Sequence, residues 1–139
     1  MLSRPILLVE DNPMDIDLTQ RAFRESKLSN PLILARDGQE ALDYFENWKE
    51  GDPLPLVVLL DLKLPKVHGL EVLRAIKKNP NFKKQPVVIL TSSAEDRDIN
   101  NAYELGANSY IVKPVDFDKF MEIASQIEIY WLAINQPPG

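Results

Sequence analysis

A three-layer α/β sandwich on a five-stranded parallel sheet is predicted for this sequence by three observations. Short runs rich in Val, Ile and Leu alternate five times with longer segments of helical period, the pattern of successive βαβ units. Several of these runs are apolar at every position, as strands covered on both faces must be. No internal repeat, low-complexity tract or linker interrupts the series, and 139 residues is the size of one domain. Strands are predicted at residues 5–9, 32–35, 57–60, 87–90 and 109–112, and helices at 14–26, 39–49, 69–79, 95–105 and 116–134.

Each element carries its own signals. The run from Ile6 to Val9 stops at two acids, Glu10 and Asp11, and Asn12-Pro13 then suits a helix start: the Asn side chain accepts a backbone N–H and the proline already has a helical φ. Glu50-Gly51-Asp52-Pro53 and Asn79-Pro80-Asn81 mark slightly long loops before the third and fourth strands. Ser93 with Asp96 three residues on reads as a capping box for the fourth helix, and Gly106 stands where that helix should stop. In the last helix Phe117, Phe120, Ala124, Ile127, Trp131 and Ile134 form one stripe at three- and four-residue spacing. Its first half is expected on the sheet. Trp131, Leu132 and Ile134 reach beyond what a small sheet needs and point to a subunit contact. The expectation is a single domain over 1–139 with an extended C-terminal helix and no output domain.

Composition narrows the function classes. With 45% hydrophobic and 27% charged residues the chain reads as an ordinary globular protein, without a stretch near the ~20 apolar residues of a membrane-spanning helix. The apolar run at the amino terminus is too short for a signal peptide, so a cytoplasmic location is expected and no membrane partner. The absence of cysteine excludes disulfides and thiolate metal sites. A net charge of −5 argues against nucleic acid as a partner, which would call for clustered Lys and Arg.

Five β–α pairs suggest the flavodoxin-like strand order 2-1-3-4-5, whose ligand crevice lies outside the carboxyl ends of strands one and three. Glu10 and Asp11 follow the first strand and Asp61 the third, so three carboxylates converge there, while Thr91 and Lys113 end strands four and five. Like charges that close repel by about 4 kcal/mol per pair at an effective dielectric near 20. A cation relieves the repulsion, and an all-oxygen donor set suits Mg²⁺, with Mn²⁺ as a substitute. Lys113 and the Thr91 hydroxyl then form an anion site beside a carboxylate nucleophile, the requirements of phosphoryl transfer to aspartate.

The segments LVEDN, RDGQEAL, LLDLKLPKVHG, VVILTSS and GANSYIVKP resemble the response regulator receiver (CheY-like) family over almost the whole chain. The resemblance implies that Asp61 is the phosphoacceptor, supplied by a sensor histidine kinase. It implies that Asp11 and Glu10, with Asp61 and the backbone carbonyl of Lys63, bind Mg²⁺. Thr91 and Lys113 would contact the phosphoryl group, and their shift would let Tyr110 turn inward, coupling the site to the face of helix four, strand five and helix five. The Lys113-Pro114 bond is expected to be cis. Such a protein catalyses only its own phosphorylation and dephosphorylation and is not otherwise an enzyme.

The YWL near the end and the loop before strand three resemble more narrowly the single-domain regulators that serve cyanobacterial phytochrome kinases. This implies a bacterial phytochrome as partner and a homodimer through helix four, strand five and helix five. Two departures stand out. His68 occupies a position where Asp is frequent, and is read as a solvent-facing loop residue rather than a ligand. Lys66 replaces a usually small or apolar residue. Lys63 and Ser93, two beyond Asp61 and Thr91, occupy positions that tune dephosphorylation in the family.

Other readings fit less well. A haloacid-dehalogenase-like phosphatase also uses a strand-end Asp, but wants an acid two residues later, where this chain has Lys63. A flavodoxin proper needs a Ser/Thr-rich loop after strand one, and a dinucleotide-binding domain a Gly-rich one; Glu10-Asp11-Asn12-Pro13 is neither. A receiver that serves as a scaffold without phosphorylation is the remaining alternative.

Overall fold

The computed structural model describes residues 4–26, 28–113 and 116–134, with side chains through residue 129. Strands β1 (Ile6–Val9), β2 (Leu32–Ala35), β3 (Val57–Leu60), β4 (Val87–Thr91) and β5 (Ser109–Val112) alternate with helices α1 (Pro13–Glu25), α2 (Gly38–Glu46), α3 (Gly69–Lys78), α4 (Asp96–Glu104) and α5 (Phe117–Ile134). The strands pair in parallel in the order β2-β1-β3-β4-β5, the flavodoxin-like arrangement expected from the sequence.

The two-residue period of the strands sorts their side chains into two cores. Leu7, Val9, Val58, Leu60, Val87 and Ile89 meet Ala41 and Phe45 of α2, Val72, Leu73 and Ile76 of α3, and Ala102 of α4. Ile6, Leu8, Val57, Leu59 and Leu90 meet Ile16, Ala22 and Phe23 of α1, and Phe120, Ile123, Ala124 and Ile127 of α5. Helices thus cover both faces. The central strands β1 and β3 are buried at all four positions, which is why they are apolar throughout, whereas β2 and β5 at the edges are only partly covered.

Most helix ends follow the local chemistry. Asn12 caps α1, its Oδ1 accepting from the Met14 and Asp15 amides, and Pro13 is the first helical residue. Gly106 follows α4 at φ +104°, a left-handed conformation that side chains with a Cβ rarely adopt. The capping box at Ser93 does not form. Helix α4 begins at Asp96 after Glu95, which makes no side-chain cap, and Ser93 Oγ instead donates to Asp98 Oδ2. The buried Ser93 is drawn into the strand-to-helix loop, two residues too early to cap the helix. Helix α2 is shorter than the sequence suggests: Lys49 N donates to Asp52 Oδ2 and Trp48 Nε1 to Asp52 O, so an Asp-centred turn takes over from the helix.

Helix α5 spans 18 residues, about 27 Å at 1.5 Å per residue, against about 13 Å for a four-residue strand. Phe120, Ala124 and Ile127 of the predicted stripe are buried, Phe117 is half-buried, and Ile123 joins them. The side chains of Trp131, Leu132 and Ile134 lie outside the described residues.

Candidate functional site: an acidic crevice with one lysine

Register brings the site together. Val9 pairs with Leu60, so the next residues, Glu10 and Asp61, leave the sheet side by side; Glu10 N donates to Ala35 O and Asp61 N to Val9 O, extending the ladder past both strand ends. Thr91 closes β4, and Lys113 N donates to Thr91 O at 2.8 Å, so β5 ends level with it. Four strand ends therefore present Glu10, Asp61, Thr91 and Lys113 along one edge of the sheet.

Glu10 is 2% exposed, its Oε2 accepting from the Asp11 and Asn12 amides at 3.1 and 3.2 Å and its Oε1 from Lys113 Nζ at 2.5 Å. Asp61 is 7% exposed; its Oδ1 accepts from the Lys63 amide at 3.2 Å and its Oδ2 from Lys113 Nζ at 3.4 Å. Asp11 is exposed, at the mouth of the crevice. Carboxylate oxygens of Glu10, Asp11 and Asp61 lie within 4.8 Å of one another.

The electrostatics are unbalanced. Burial pushes Glu10 up to about 7; the hydrogen bond and charge of Lys113 pull the other way, and the charge of Asp61 adds to the rise. Burial also works against the Lys113 ammonium, but hydrogen bonds to Glu10 and Asp15 and the charges of Asp61 and Glu10 outweigh it and hold its pKa above the ordinary lysine range. One ammonium among four carboxylates, Glu10, Asp11, Asp15 and Asp61, leaves an excess of negative charge in a recess of the surface. Oxygen-only donors within 4.8 Å of one another fit a hard divalent ion, which would be held by Glu10, Asp11 and Asp61. Such an ion supplies charge neutralisation for an incoming phosphoryl group.

The remaining sequence-predicted residues have definite places. Thr91 is fully buried, and its Oγ1 lies 3.5 Å from the Ser93 amide. Lys63 folds over the crevice through its amide hydrogen bond to Asp61 while its side chain is exposed. The Tyr110 ring is half-buried against the α2–α4 core, with its hydroxyl donating to Ser93 O at 2.8 Å. Pro114 lies outside the described residues, and its predicted cis bond with it.

Two roles were not foreseen. Asp15, on the first turn of α1, brings its Oδ2 to 2.9 Å from Lys113 Nζ. No spacing in the sequence marks it, because its partner comes from a strand end 98 residues away. His68 is exposed, as expected, but it also caps α3: its Nδ1 accepts from the Leu70 amide at 3.1 Å, which makes sense of a position where Asp, a strong N-cap, is frequent. The next residue has to be small. A Cβ on Gly69 would lie 2.3 Å from the backbone oxygen of Asp61 and 2.5 Å from Leu62 Cα, so only glycine lets α3 start against the loop that carries Asp61.

Residues 6–125 match the family described as response regulator receiver domain. The chain belongs to this family. The probable methanogenesis regulatory protein FilR2 of Methanothrix harundinacea is 44% identical over 135 residues, 96% of this chain and 87% of the relative. Response regulator Rcp1 of Synechocystis is 40% identical over 129 residues, 91% of this chain and 88% of its own. A crystal structure of the Mn²⁺-bound form of Rcp1 superposes with a TM-score of 0.81 at 38% identity, covering 98% of this chain and 99% of that one. The phosphorylated cyanobacterial phytochrome response regulator RcpA gives a TM-score of 0.83 at 38% identity, covering 99% and 100%.

This receiver domain thus works in two-component signalling, where a histidine kinase is the partner and an aspartate takes the phosphoryl group. Its acidic cluster fits the divalent metal binding of the family. Among the described residues no helix is long and apolar enough to cross a membrane.

Proposed function

We propose that Asp61 is the phosphoacceptor of this receiver. The observation that carries the reading is the division of labour between its two oxygens: Oδ1 accepts from the Lys63 amide, while Oδ2 faces the Lys113 ammonium and the Glu10–Asp11 pair stands alongside. In the transfer, a bond forms between an Asp61 oxygen and phosphorus as the P–N bond to the kinase histidine breaks, and the departing imidazole nitrogen takes a proton. Glu10, Asp11 and the Lys63 carbonyl complete the metal site, and Lys113 and Thr91 receive the phosphoryl oxygens. Movement of Thr91 reaches α4 through the Ser93 loop, which Tyr110 and Asp98 already grip, so Tyr110 is the natural reporter of the switch. Incubation with acetyl phosphate and Mg²⁺ tests the assignment: intact mass gains one phosphoryl group on the wild type and none on Asp61→Asn. A wild type that takes no phosphoryl group while folded would leave the scaffold reading.

The kinase is proposed to be of the phytochrome type, on the strength of the likeness to RcpA; profiling phosphotransfer from phytochrome and other histidine kinases of the same organism tests this. The phosphorylated form is proposed to pair through α4, β5 and α5 in the cytoplasm. Among the described residues, Tyr103 of α4, Val112 of β5 and Ile129 of α5 are 49%, 40% and 65% exposed, three of the four large hydrophobic side chains left at the surface. Equal sedimentation of the phosphorylated and unphosphorylated forms at micromolar concentration would rule this out. Residues 1–139 act here as one receiver unit that turns over no substrate except its own phosphoryl group, so slow stoichiometric labelling is expected rather than turnover of p-nitrophenyl phosphate.

A further inference from the structure

Lys113 serves three carboxylates, and only two of them belong to the cation cluster. Its ammonium lies 2.5 Å from Glu10, 2.9 Å from Asp15 and 3.4 Å from Asp61, one acceptor for each of its three protons. Glu10 and Asp61 also contribute the oxygens that gather within 4.8 Å of Asp11, whereas Asp15 stands outside that group. Asp15 is itself well anchored. Its amide donates to Asn12 Oδ1, and its carbonyl accepts from Thr19 Oγ1 at 2.7 Å.

An acid in the first turn suits the dipole of α1, but that does not require its carboxylate to reach another strand end. Asn12 already caps the helix, which leaves the Asp15 carboxylate to meet Lys113 in a partly buried ion pair. What the contact does is cross the molecule: residues 98 apart in the chain meet beside the acceptor. A lysine stem is flexible, with four rotatable carbons to hold still. An ammonium that must find phosphoryl oxygens benefits from an anchor that the chemistry leaves unaltered.

We propose that Asp15 is a positioning residue for Lys113, keeping its ammonium over the carboxyl end of β3 independently of the two carboxylates that the cation cluster shares. This rests on the reading of Asp61 as acceptor. Loss of Asp15 leaves Lys113 with no carboxylate outside that cluster. An asparagine keeps the hydrogen-bond acceptor without the charge, so it preserves most of the tether.

The test uses the full chain carrying ¹⁵N-labelled lysine, as wild type, Asp15→Ala and Asp15→Asn. Two readouts are followed: the Lys113 ammonium signal by NMR with and without Mg²⁺, and the rate of phosphorylation against acetyl phosphate concentration. Expected for Asp15→Ala is a lost or fast-exchanging Lys113 signal and a limiting rate about fivefold lower at an unchanged half-saturating donor concentration. Asp15→Asn should recover most of both. A labelled wild type with an equally fast Asp15→Ala, its lysine signal intact, overturns the inference. So does a slow Asp15→Ala with an unaltered signal. If Asp15→Ala fails to fold, Asp15→Ser, whose hydroxyl is too short to reach Lys113, makes the same comparison. Failure of the acceptor reading is distinguished by the wild type itself taking no phosphoryl group.

Discussion

Leu60 and Asp61 are consecutive residues at the end of β3, 0% and 7% exposed, and Val9 and Glu10 at the end of β1 are a matching pair at 0% and 2%. Burial is nearly equal within each pair, yet its physical meaning reverses across one peptide bond. Below the boundary, removal of apolar surface from water drives folding, about 25 cal/mol per Å². Above it, desolvation and mutual repulsion work against charge, and at Glu10 the single ammonium of Lys113 offsets only part of the cost. The sheet therefore holds up a site that weakens it, as expected where burial is kept for chemistry.

The sharpest way to break this comparison is Asp61→Asn, which is expected to abolish phosphorylation completely while leaving the fold intact; intact mass and circular dichroism read the two halves separately. Leu60→Ala, one residue earlier, should do the opposite. Urea unfolding is expected to show a loss of about 2–5 kcal/mol, because the position is fully enclosed and a cavity remains. Gly69→Ala joins the two regions, since its Cβ would drive α3 away from the Asp61 backbone. Its expected cost is about 1–3 kcal/mol in unfolding, accompanied by weaker Mg²⁺ binding in a calorimetric titration. Returning to Asp61→Asn, its stability without metal should rise by about 1 kcal/mol, since one of the crowded charges is gone, and Mg²⁺ should then raise its melting temperature less than that of the wild type. A variant less stable than wild type in EDTA would show that Asp61 is held by its Lys63 and Lys113 contacts more strongly than it is repelled. The smallest effect expected is His68→Ala, a loss of about 1 kcal/mol from the α3 cap, checked by thermal unfolding.

Much of this architecture is legible in the sequence, because it depends on chemistry within a few residues. The all-apolar runs of β1 and β3, the Asn12-Pro13 start of α1 and the Gly106 stop of α4 are each decided by neighbours in the chain. The strand order is the flavodoxin-like one that five β–α pairs suggest, and with it comes the convergence of Glu10, Asp11 and Asp61 on one crevice. Two local signals misled: Ser93 had the spacing of a capping box but turned its hydroxyl to Asp98, and α2 yielded its last turn to Asp52. In both cases a polar side chain found a competing partner close by, and spacing alone does not rank such partners.

The sequence by itself determined the succession of strands and helices, though not every helix end, and which charged groups stand at the strand ends, since these follow from periodicity and from the residue that comes next. Only the tertiary structure decided that Lys113 reaches Glu10 and Asp15, 103 and 98 residues away, rather than extending into water, and that the Tyr110 hydroxyl ends on the Ser93 carbonyl. Those pairings arise because a parallel sheet brings distant strand ends within a lysine's reach, and a low-dielectric recess makes an ammonium choose the carboxylates it finds there.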